Sequence, residues 1–453
     1  MGTARRRKPR RKRVGRVSYY HHHGGWWIYY RDGQRKVRRR VGGEEAEAGR
    51  VAAQVNAQLA TAAPTMFSFT PVTVPDLCRR FVDHHEYVAK SSLATVRRYQ
   101  AAVRHLEDFA ARLGRNVPAH EIPPDQFARF LRSTKVAPNG HPNTARRHLR
   151  DKGVHFILEV CRSLYGFAAR NRHLPPYAAN PFAGLGGKHA QIEDAKQVFV
   201  FDETTELAFF QAADAWSFPI HFTMAKSGVR PGECVHMLVE EVDLAGGWMH
   251  IRNKAELGWR IKTRRERVIP LVDELVAVLR HVIGDRTAGP VFLREKYDPG
   301  KSPLGCASRE AMARTLARRI EVAEQQSGQS LGRDGRARIA RTVWRDVGAI
   351  KADRIRISFL RIAAAVGLSN ATCPKSWRHT FATLLQDANV DPLVRQITLG
   401  HAANALGTSG GLGMTAVYTH TRSETQRREI LRAIRLWPRS LEFARRFTGE
   451  HNA

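Results

Sequence analysis

The side chains best suited to chemistry lie between residues 374 and 421, where Arg378, His401 and Tyr418 follow one another in the chain. Asp391 stands just before a proline, a pair typical of a helix N-cap and first turn, so a new helix should begin there. The glycine-rich run GTSGGLGM after this helix predicts a loop, and the loop leads directly to TAVYTH. Tyr418 is therefore either a packed aromatic ring or a side chain presented to a substrate.

Two upstream segments supply further charged candidates. In SGVRPGE, Arg230 comes after a glycine that should end one helix and before a proline that should open the next. At a helix start, a guanidinium can join backbone N–H groups in binding one anion. The segment IRNKAELGWRIKTRRERVIPL predicts short strands with basic turns, and it carries Lys254 and Lys262.

The composition restricts the partners. The chain has 74 lysines and arginines against 42 aspartates and glutamates, a formal net charge of +32, and its first 40 residues contain fifteen of these basic residues and a single acid. Such a field favours a polyanion, and no apolar run approaches the roughly 20 residues of a membrane-spanning helix. No apolar segment of signal-peptide length follows the basic N-terminus, so we expect a cytoplasmic, nucleoid-associated protein with no membrane partner. Five scattered cysteines without a CxxC pair predict buried thiols, not a disulfide framework or a zinc site.

The sequence predicts a small basic sheet at the N-terminus. Aromatic runs separated by Gly24-Gly25 and by Asp32-Gly33 are typical of β-hairpins, and residues 44–60 should form a helix after them. The first sixteen residues are expected to stay disordered until bound. Three consecutive histidines, residues 21–23, would point to opposite faces of a strand and make a poor metal chelate. We predict that the sheet contacts DNA through a basic cluster formed by Arg35, Lys36, Arg38, Arg39 and Arg40.

A helical segment should follow, after a linker over residues 61–71. Four helices are predicted between residues 72 and 182, and the fourth should start at Thr144. In the second helix, an apolar stripe at helical spacing predicts a core formed by Val96, Tyr99, Val103, Leu106 and Phe109. Arginines in these helices are candidates for phosphate contacts, namely Arg97, Arg98, Arg146 and Arg147.

Taken in order, these motifs resemble those of the tyrosine recombinases, also called phage integrases. In that family the site combines an SGxRxGE arginine, a lysine in a hairpin that ends in a VPL-like strand, an HxxR box, an LGH box and a tyrosine in a TxxYTH box. Five of the six positions are present here, as Arg230, Lys262, Arg378, His401 and Tyr418. The sixth, the first residue of the HxxR box, is Lys375 where the family has histidine.

The resemblance implies a mainly α, multidomain fold with small β-sheets. It assigns residues 1–60 to a basic tail and an arm-type β/α DNA-binding domain, 72–182 to a helical core-binding domain, and 195–453 to a mixed α/β, mostly helical catalytic domain. An insertion around residues 291–372 exceeds what the family core needs, and it has no assigned role. The resemblance also implies a site-specific recombinase or integrase of a mobile element, which acts on double-stranded DNA at specific recombination sites as a homo-oligomer, expected to be a tetramer.

The resemblance further implies a role for the nucleophile and its phosphate partners. Tyr418 would attack a DNA phosphate and form a 3′-phosphotyrosyl link. Arg230 and Arg378 would grip the non-bridging oxygens, and His401 would add a hydrogen bond. Because the phosphotyrosine conserves the bond energy and the guanidiniums take the place of magnesium, we expect no cofactor, neither metal nor ATP.

The lysines have alternative assignments under the same resemblance. Lys262 would protonate the leaving 5′ oxygen, and Lys254 is a rival for that role. Lys375 could still donate to a phosphate oxygen, but a lysine's ordinary pKa of about 10.4 makes it a poor general base.

Three other interpretations stay open. A type IB topoisomerase uses similar chemistry only to relax DNA, although the arm-like N-terminal domain favours a recombinase. An accessory DNA-binding protein would be catalytically silent because Lys375 replaces histidine, and a basic transcription regulator would not need Tyr418. The C-terminal run SETQRREILRAIRLW predicts a helix whose Ile430 and Ile434 dock either on a neighbouring protomer, which we favour, or on their own domain.

Overall fold

The fold is that of a computed structural model, which describes residues 10–63, 65–114, 116–137, 143–176, 178–185, 197–400 and 422–449. It is mainly helical with small antiparallel sheets, which confirms the predicted fold class. The chain divides into two compact units, Met1–Ala195 and Lys196–Ala453, and each unit has its own hydrophobic core.

A four-stranded antiparallel sheet opens the N-terminal unit, and helix α1 covers one of its faces. The strands follow in chain order as β1 (Lys12–Val14), β2 (Val17–His22), β3 (Gly25–Asp32) and β4 (Arg35–Gly42), and α1 spans Glu45–Ala60. Gly33 has a φ of 56° in the tight turn between β3 and β4, as the Asp-Gly pair predicts. Val17, Ile28 and Val55 are buried between the sheet and α1. Because residues 12–14 pair with β2, the expectation that the whole basic tail is disordered is wrong for this part of it.

Residues 61–71, predicted as a linker, make specific contacts. Thr65 is fully buried, and its hydroxyl forms a 3.0 Å hydrogen bond with the hydroxyl of Tyr30 on β3. The backbone amide of Thr70 donates to the carbonyl of Arg172 at 2.8 Å. The segment is therefore fastened to the sheet at one end and to the helical part of the same unit at the other.

The helical part of the N-terminal unit is built from α2 (Val74–Asp83), α3 (Leu93–Leu113), α4 (Pro124–Ser133) and α5 (Asp151–Arg170). The apolar stripe predicted on α3 faces this core, with Tyr99 partly buried and the other four side chains buried. Ser92 caps α3 by accepting a hydrogen bond from the Thr95 amide, which explains why the helix begins there.

The start of the fourth helix differs from the prediction. Instead of beginning at Thr144, α5 begins at Asp151, and Arg147–His148 forms strand β6, which pairs with β5 (Lys135–Val136). The run before Asp151 has one large apolar side chain, Leu149, which is too few to bury a helical face against the core.

The C-terminal unit contains a three-stranded antiparallel sheet, with helices before it and after it in the chain. Before the 291–372 region come α6 (Glu203–Gln211), α7 (Ser217–Ser227), α8 (Pro231–Cys234), β7 (Val242–Asp243), β8 (Trp248–Ile251), β9 (Arg267–Pro270) and α9 (Asp273–Ile283). After them come α10 (Arg309–Ser327), α11 (Arg333–Asp346), α12 (Ala352–Ala365), α13 (Lys375–Asp387), α14 (Pro392–Leu399), α15 (Ser423–Ile434) and α16 (Pro438–Thr448). Trp377 lies at the centre of the core, stacked on Phe201 with 4.0 Å between ring centroids.

The predicted insertion divides into two parts. α12 belongs to the main core, because Ile355 and Phe359 are fully buried in it. The α10–α11 helix pair instead has a small core of its own, to which Met312 and Trp344 contribute together with Leu257 from the segment before β9. Within the predicted insertion, the helix pair is thus the part that packs away from the main core.

The apolar face of α15 packs on its own domain. Ile430 and Ile434 are fully buried in the core of the C-terminal unit, and the side-chain amide of Gln426 donates to the carbonyl of Val268 on β9 at 3.0 Å. The favoured prediction, that this face docks on a neighbouring protomer, is therefore wrong, because the face is already covered.

Candidate active site

Arg230 lies at the turn between α7 and α8. Helix α7 ends at Gly228, whose φ of 63° is left-handed, and Pro231 is the first residue of α8. Arg230 Nη1 donates to Glu233 Oε1 at 2.8 Å, and the Arg230 backbone amide donates to Glu233 Oε2 at 2.9 Å. The Arg230 side chain is 21% exposed. Its guanidinium is thus held in place by one carboxylate and still reaches the surface.

Glu233 is buried and also binds an arginine from β9. Arg267 Nη2 and Nη1 donate to its two carboxylate oxygens at 2.6 and 3.1 Å, a forked arrangement. Burial alone would raise the pKa of the Glu233 carboxyl, but hydrogen bonding and charge from Arg267, with a smaller contribution from Arg230, lower it. Arg267 Nε donates to the carbonyl of Thr398 at 2.9 Å. This ion pair therefore connects α8, β9 and the end of α14.

Arg378 on α13 binds two backbone carbonyls. Its Nη1 donates to the carbonyl of Gly228 at 2.7 Å, and its Nη2 donates to the carbonyl of Leu399. Burial, and next the nearby charge of Arg230, lowers the pKa of Arg378 to about 9. In the part of the chain that the structure describes, no carboxylate is hydrogen-bonded to Arg378. Two adjacent guanidiniums with so little compensating charge suit an anion with several oxygens, such as a phosphate diester.

The carboxyl end of α14 meets these arginines. Arg267 binds the carbonyl of Thr398 and Arg378 that of Leu399, and Gly400 then leaves the helix with a left-handed φ of 63°. A Cβ at Gly400 would lie 2.9 Å from Cδ of Arg267, so the site has room only for glycine there. The next residue in the chain is His401. Both His401 and Tyr418 lie outside the described residues.

The two candidate lysines have different environments. Lys254 is buried, and its Nζ forms an ion pair with Glu241 Oε2 at 2.7 Å. Burial lowers the pKa of Lys254, and the charge of Glu241 opposes that shift. Lys262 is exposed in the turn before β9, where it forms no hydrogen bond or ion pair within the described ranges. Lys262 is thus the accessible amine of the two, although no direct contact joins it to Arg230 or Arg378.

Lys375 is the first residue of α13. It is exposed, and it precedes Arg378 by three residues, so the two side chains lie on the same side of the helix. The structure therefore brings Arg230, Arg378 and the residues before His401 together, and it places Lys375 beside this group at the helix start.

The basic residues predicted to contact DNA from the sheet are all exposed. The register pairs Arg38 with Tyr29 and Arg40 with Trp27, which puts these arginines on the face opposite α1. Arg38 lies 4.9 Å from the Trp27 ring and 5.5 Å from the Tyr20 ring. Lys36 shares this face, whereas Arg35 and Arg39 alternate to the side of α1.

The arginines predicted in the helical domain fall into two groups. Arg97 and Arg98 are exposed on α3, and Arg98 lies over the Phe156 ring at 4.1 Å. Arg146 and Arg147 are not on a helix as predicted: Arg147 is in β6, and Arg146 donates to the carbonyl of Lys135 at 3.2 Å. Both arginines are exposed, at a small two-stranded hairpin.

Other side-chain classes give no further candidate centre. Among the described residues, no group of three or more histidine, cysteine or acidic side chains could hold a metal ion. Cys78, Cys161 and Cys234 are buried, and Cys306 and Cys373 are half-buried. None of the helices in the described ranges has the length and hydropathy needed to cross a bilayer.

The two arginines thus belong to a mostly helical unit with a small antiparallel sheet. Residues 200–424 match the sequence model of the phage integrase family, and the chain belongs to this family. No curated protein is similar enough in sequence to count as a match.

Solved structures also match. The integrase of transposon Tn1549 in complex with circular intermediate DNA is 17% identical, with 80% of this chain and 99% of that chain covered and a TM-score of 0.49. A lambda integrase tetramer bound to a Holliday junction is 15% identical, with 86% and 97% covered and a TM-score of 0.47. The integrase of mycobacterium phage Brujita is 14% identical, with 80% and 97% covered and a TM-score of 0.33.

Sequence reasoning missed the residues that support the site. Glu233 was visible only as a letter of the SGVRPGE motif, and Arg267 only as one of several arginines in the segment KTRRERVIPL. A glutamate three residues after a helix-start arginine was a usable signal for a side chain that reaches back to that helix start. The pairing of Glu233 with Arg267, 34 residues away, had no local signal.

Proposed function

We propose that the protein is a tyrosine-type site-specific DNA recombinase that integrates or excises a mobile element. The observation that carries the proposal is the convergence of Arg230 and Arg378 at the end of α14, immediately before His401. Membership of the phage integrase family supports it. The substrate would be double-stranded DNA at specific sites, held by several protomers, for which we propose a tetramer.

In the proposed reaction, the hydroxyl oxygen of Tyr418 forms a bond with the DNA phosphorus as the bond from phosphorus to the 5′ oxygen breaks. The tyrosine proton passes to solvent, and the proton on Lys262 Nζ passes to the departing 5′ oxygen. A tyrosine with its ordinary pKa near 10 is about 0.1% ionised at neutral pH, so the site must stabilise the charge that develops. A 5′ hydroxyl from another strand then reverses the step.

The arginines supply that stabilisation. A planar guanidinium can grip two non-bridging phosphate oxygens, and it keeps its charge at every physiological pH. Because Arg378 is oriented by two carbonyls and Arg230 by Glu233, the remaining N–H groups of both are positioned before DNA arrives. Donors that are already positioned stabilise transition-state charge without reorganising. His401 would add one further hydrogen bond to the phosphate.

One observation favours a second candidate function. Lys375 stands where the family has histidine, and a lysine at that position could leave a DNA-binding accessory protein without catalytic activity. Its place beside Arg378 is equally compatible with a recombinase in which Lys375 donates a hydrogen bond to a phosphate oxygen.

Covalent trapping separates the two functions. A nicked suicide substrate with the end sequences of the element is incubated with the protein and with Tyr418→Phe, and adducts are separated under denaturing conditions. The recombinase gives a protein–DNA adduct that the Tyr418→Phe variant lacks, while both proteins bind the site equally. Site-specific binding without any adduct from the unaltered protein would identify the accessory protein instead.

A further inference from the structure

The α10–α11 helix pair packs against the segment that leads to Lys262. Leu257 of this segment is buried in the core of the pair, and the indole N–H of Trp344 donates to the Leu257 carbonyl at 3.0 Å. Gly258 has a φ of 72°, and a Cβ built on it would lie 2.8 Å from the Cβ of Ala340 on α11. The backbone at residues 257 and 258 is therefore in direct contact with α11.

An aromatic contact fixes the next residue. The Trp259 ring stacks on His236 with 4.8 Å between centroids and 18° between planes, and His236 in turn meets Trp344 edge-on at 4.7 Å. The backbone of Trp259 pairs with that of Lys254 through hydrogen bonds of 3.0 and 3.1 Å. The buried ion pair of Lys254 with Glu241 anchors the other side of this bridge. Lys254, the alternative candidate for the general acid, is thus part of the structure that supports this segment.

Arg309, the first residue of α10, completes the connection. Its Nη2 donates to the carbonyl of Asn253 at 2.8 Å, and its Nε donates to Glu256 Oε1 at 2.7 Å. The Asn253 side chain then spans the turn that holds Lys262, since it accepts from the Ile261 amide at 3.0 Å and donates to the Arg264 carbonyl at 3.0 Å. One chain of hydrogen bonds therefore runs from α10 to both sides of Lys262.

The connecting segment needs such support. Fifteen residues separate Ile251 on β8 from Arg267 on β9, and their regular structure is one 3₁₀ turn, Ala255–Leu257. Connections of this length with so little regular structure are uncommon in compact domains. Lys262 is itself exposed and has no hydrogen bond within the described ranges, so its location depends on the backbone beneath it. A general acid must lie within hydrogen-bonding reach of the atom it protonates.

We propose that the α10–α11 pair positions Lys262 for proton transfer, with Arg309 as the principal positioning residue. This inference rests on the proposed role of Lys262 as general acid. It gives the helix pair, to which the sequence assigned no role, a function in catalysis.

A leaving-group exchange tests the inference. Single-turnover rates of adduct formation are measured at saturating DNA for the unaltered protein, Lys262→Ala and Arg309→Ala, with a suicide substrate whose scissile bond carries either 5′ oxygen or 5′ sulfur. A thiolate is a far weaker base than an alkoxide and leaves without a proton. We expect Arg309→Ala to be slower on the oxygen substrate by about tenfold, within the cost of a small misplacement. On the sulfur substrate both variants should recover to near the rate of the unaltered protein, with DNA affinity unchanged.

The matched control is Arg338→Ala, which removes the same charge from an exposed position on α11 and should match the unaltered protein on both substrates. If Arg309→Ala does not fold, Asn253→Ala interrupts the same chain of hydrogen bonds and takes its place. The positioning role is overturned if Arg309→Ala reacts as fast as the unaltered protein on the oxygen substrate, or if it is slow on both substrates. In either case, rescue of Lys262→Ala by the sulfur substrate would still support the proposed function. Failure of sulfur to rescue Lys262→Ala removes the general-acid role and the inference with it.

Discussion

At the scale of single residues, the core behind Arg378 depends on a neutral histidine. The indole N–H of Trp377 donates to His221 Nδ1 at 3.3 Å, so this nitrogen carries no proton, and His221 Nε2 then donates to Ser358 at 3.0 Å. The Ser358 hydroxyl donates to the carbonyl of Ile355 at 3.0 Å. Every donor in this series has one acceptor, and together they join α7, α12 and α13. A second proton on His221 would break the bond to the residue that precedes Arg378.

Acid should therefore destabilise the C-terminal unit through His221. Burial lowers the pKa of His221 to about 3, below the ordinary 6.5, so between these values the unfolded chain binds the proton and the folded chain does not. The stabilisation is complete above pH 6.5 and is lost as the pH falls. The variant His221→Gln can keep both hydrogen bonds but cannot titrate. When the pH is lowered from 7 to 5, we expect the free energy of unfolding of this variant to fall by about 2 kcal/mol less than that of the unaltered protein. Urea unfolding at the two pH values measures the difference, and equal losses would contradict it.

At the scale of elements, the two helix ends that meet Arg378 both require glycine. Gly228 and Gly400 have left-handed φ values of 63° and follow α7 and α14. A Cβ at Gly228 would lie 2.4 Å from Cδ1 of Phe381, a buried ring one turn after Arg378 on α13. The close approach of α7 to α13 is what brings the Gly228 carbonyl within reach of Arg378.

Alanine at Gly228 should therefore cost more than alanine at a comparable helix end. Gly328 ends α10 with a φ of 65°, and a Cβ on it would meet no atom of the described residues within 4 Å, so Gly328→Ala measures the backbone cost alone, about 1 kcal/mol. Gly228→Ala adds the displacement of Phe381, for which we expect a further cost of about 1–3 kcal/mol, typical of overpacking. Chemical denaturation of both variants gives the comparison. Equal losses at the two sites would mean that α7 and α13 separate without cost.

Elements with a strong local signal were predictable, and contacts between distant elements were not. The Asp-Gly turn predicted the β3–β4 hairpin, and the apolar period of α3 predicted both the helix and its buried face, because each pattern is complete within a few residues. Strand β6 was missed because its pairing with β5 is decided across a connection, not by the composition of Arg147–His148. The connection between Arg309 and the turn that holds Lys262 could not be predicted either, because it joins residues that are far apart in the chain. The sequence showed only that both residues are basic.

At the scale of the whole molecule, the charge of +32 is organised, not evenly spread. On the sheet face opposite α1, Arg38 and Arg40 lie opposite the aromatic residues Tyr29 and Trp27 of β3, and Lys36 lies opposite Arg31. The Trp27 and Tyr20 rings hold Arg38 in place by cation–π contact. A recombinase that holds DNA at this face would bind it largely by displacing counterions.

The salt dependence of DNA binding should show whether this face of the sheet contacts DNA phosphates. We expect the triple replacement of Lys36, Arg38 and Arg40 by glutamine to reduce the slope of log affinity against log salt by about three, since each phosphate contact contributes about 0.9. The matched control replaces three exposed arginines of α15 and its end by glutamine, namely Arg428, Arg432 and Arg435, each of which has a carboxylate partner. This control should change the slope by less than one. Fluorescence anisotropy between about 50 and 200 mM salt measures both. A slope unaffected by the sheet variant would move the DNA contact elsewhere.

Arg378 uses two of its donors on the carbonyls of Gly228 and Leu399, and this complicates how its variants can be interpreted. Removing the side chain leaves the ends of α7 and α14 without their shared hydrogen-bond partner. A loss of activity in an Arg378 variant could therefore come from the missing guanidinium or from displaced helix ends. Arg230 differs, because Glu233 keeps Arg267 as a second partner when Arg230 is gone. For an experimenter who wants the contribution of one guanidinium to the rate, Arg230 is the informative position and Arg378 the ambiguous one.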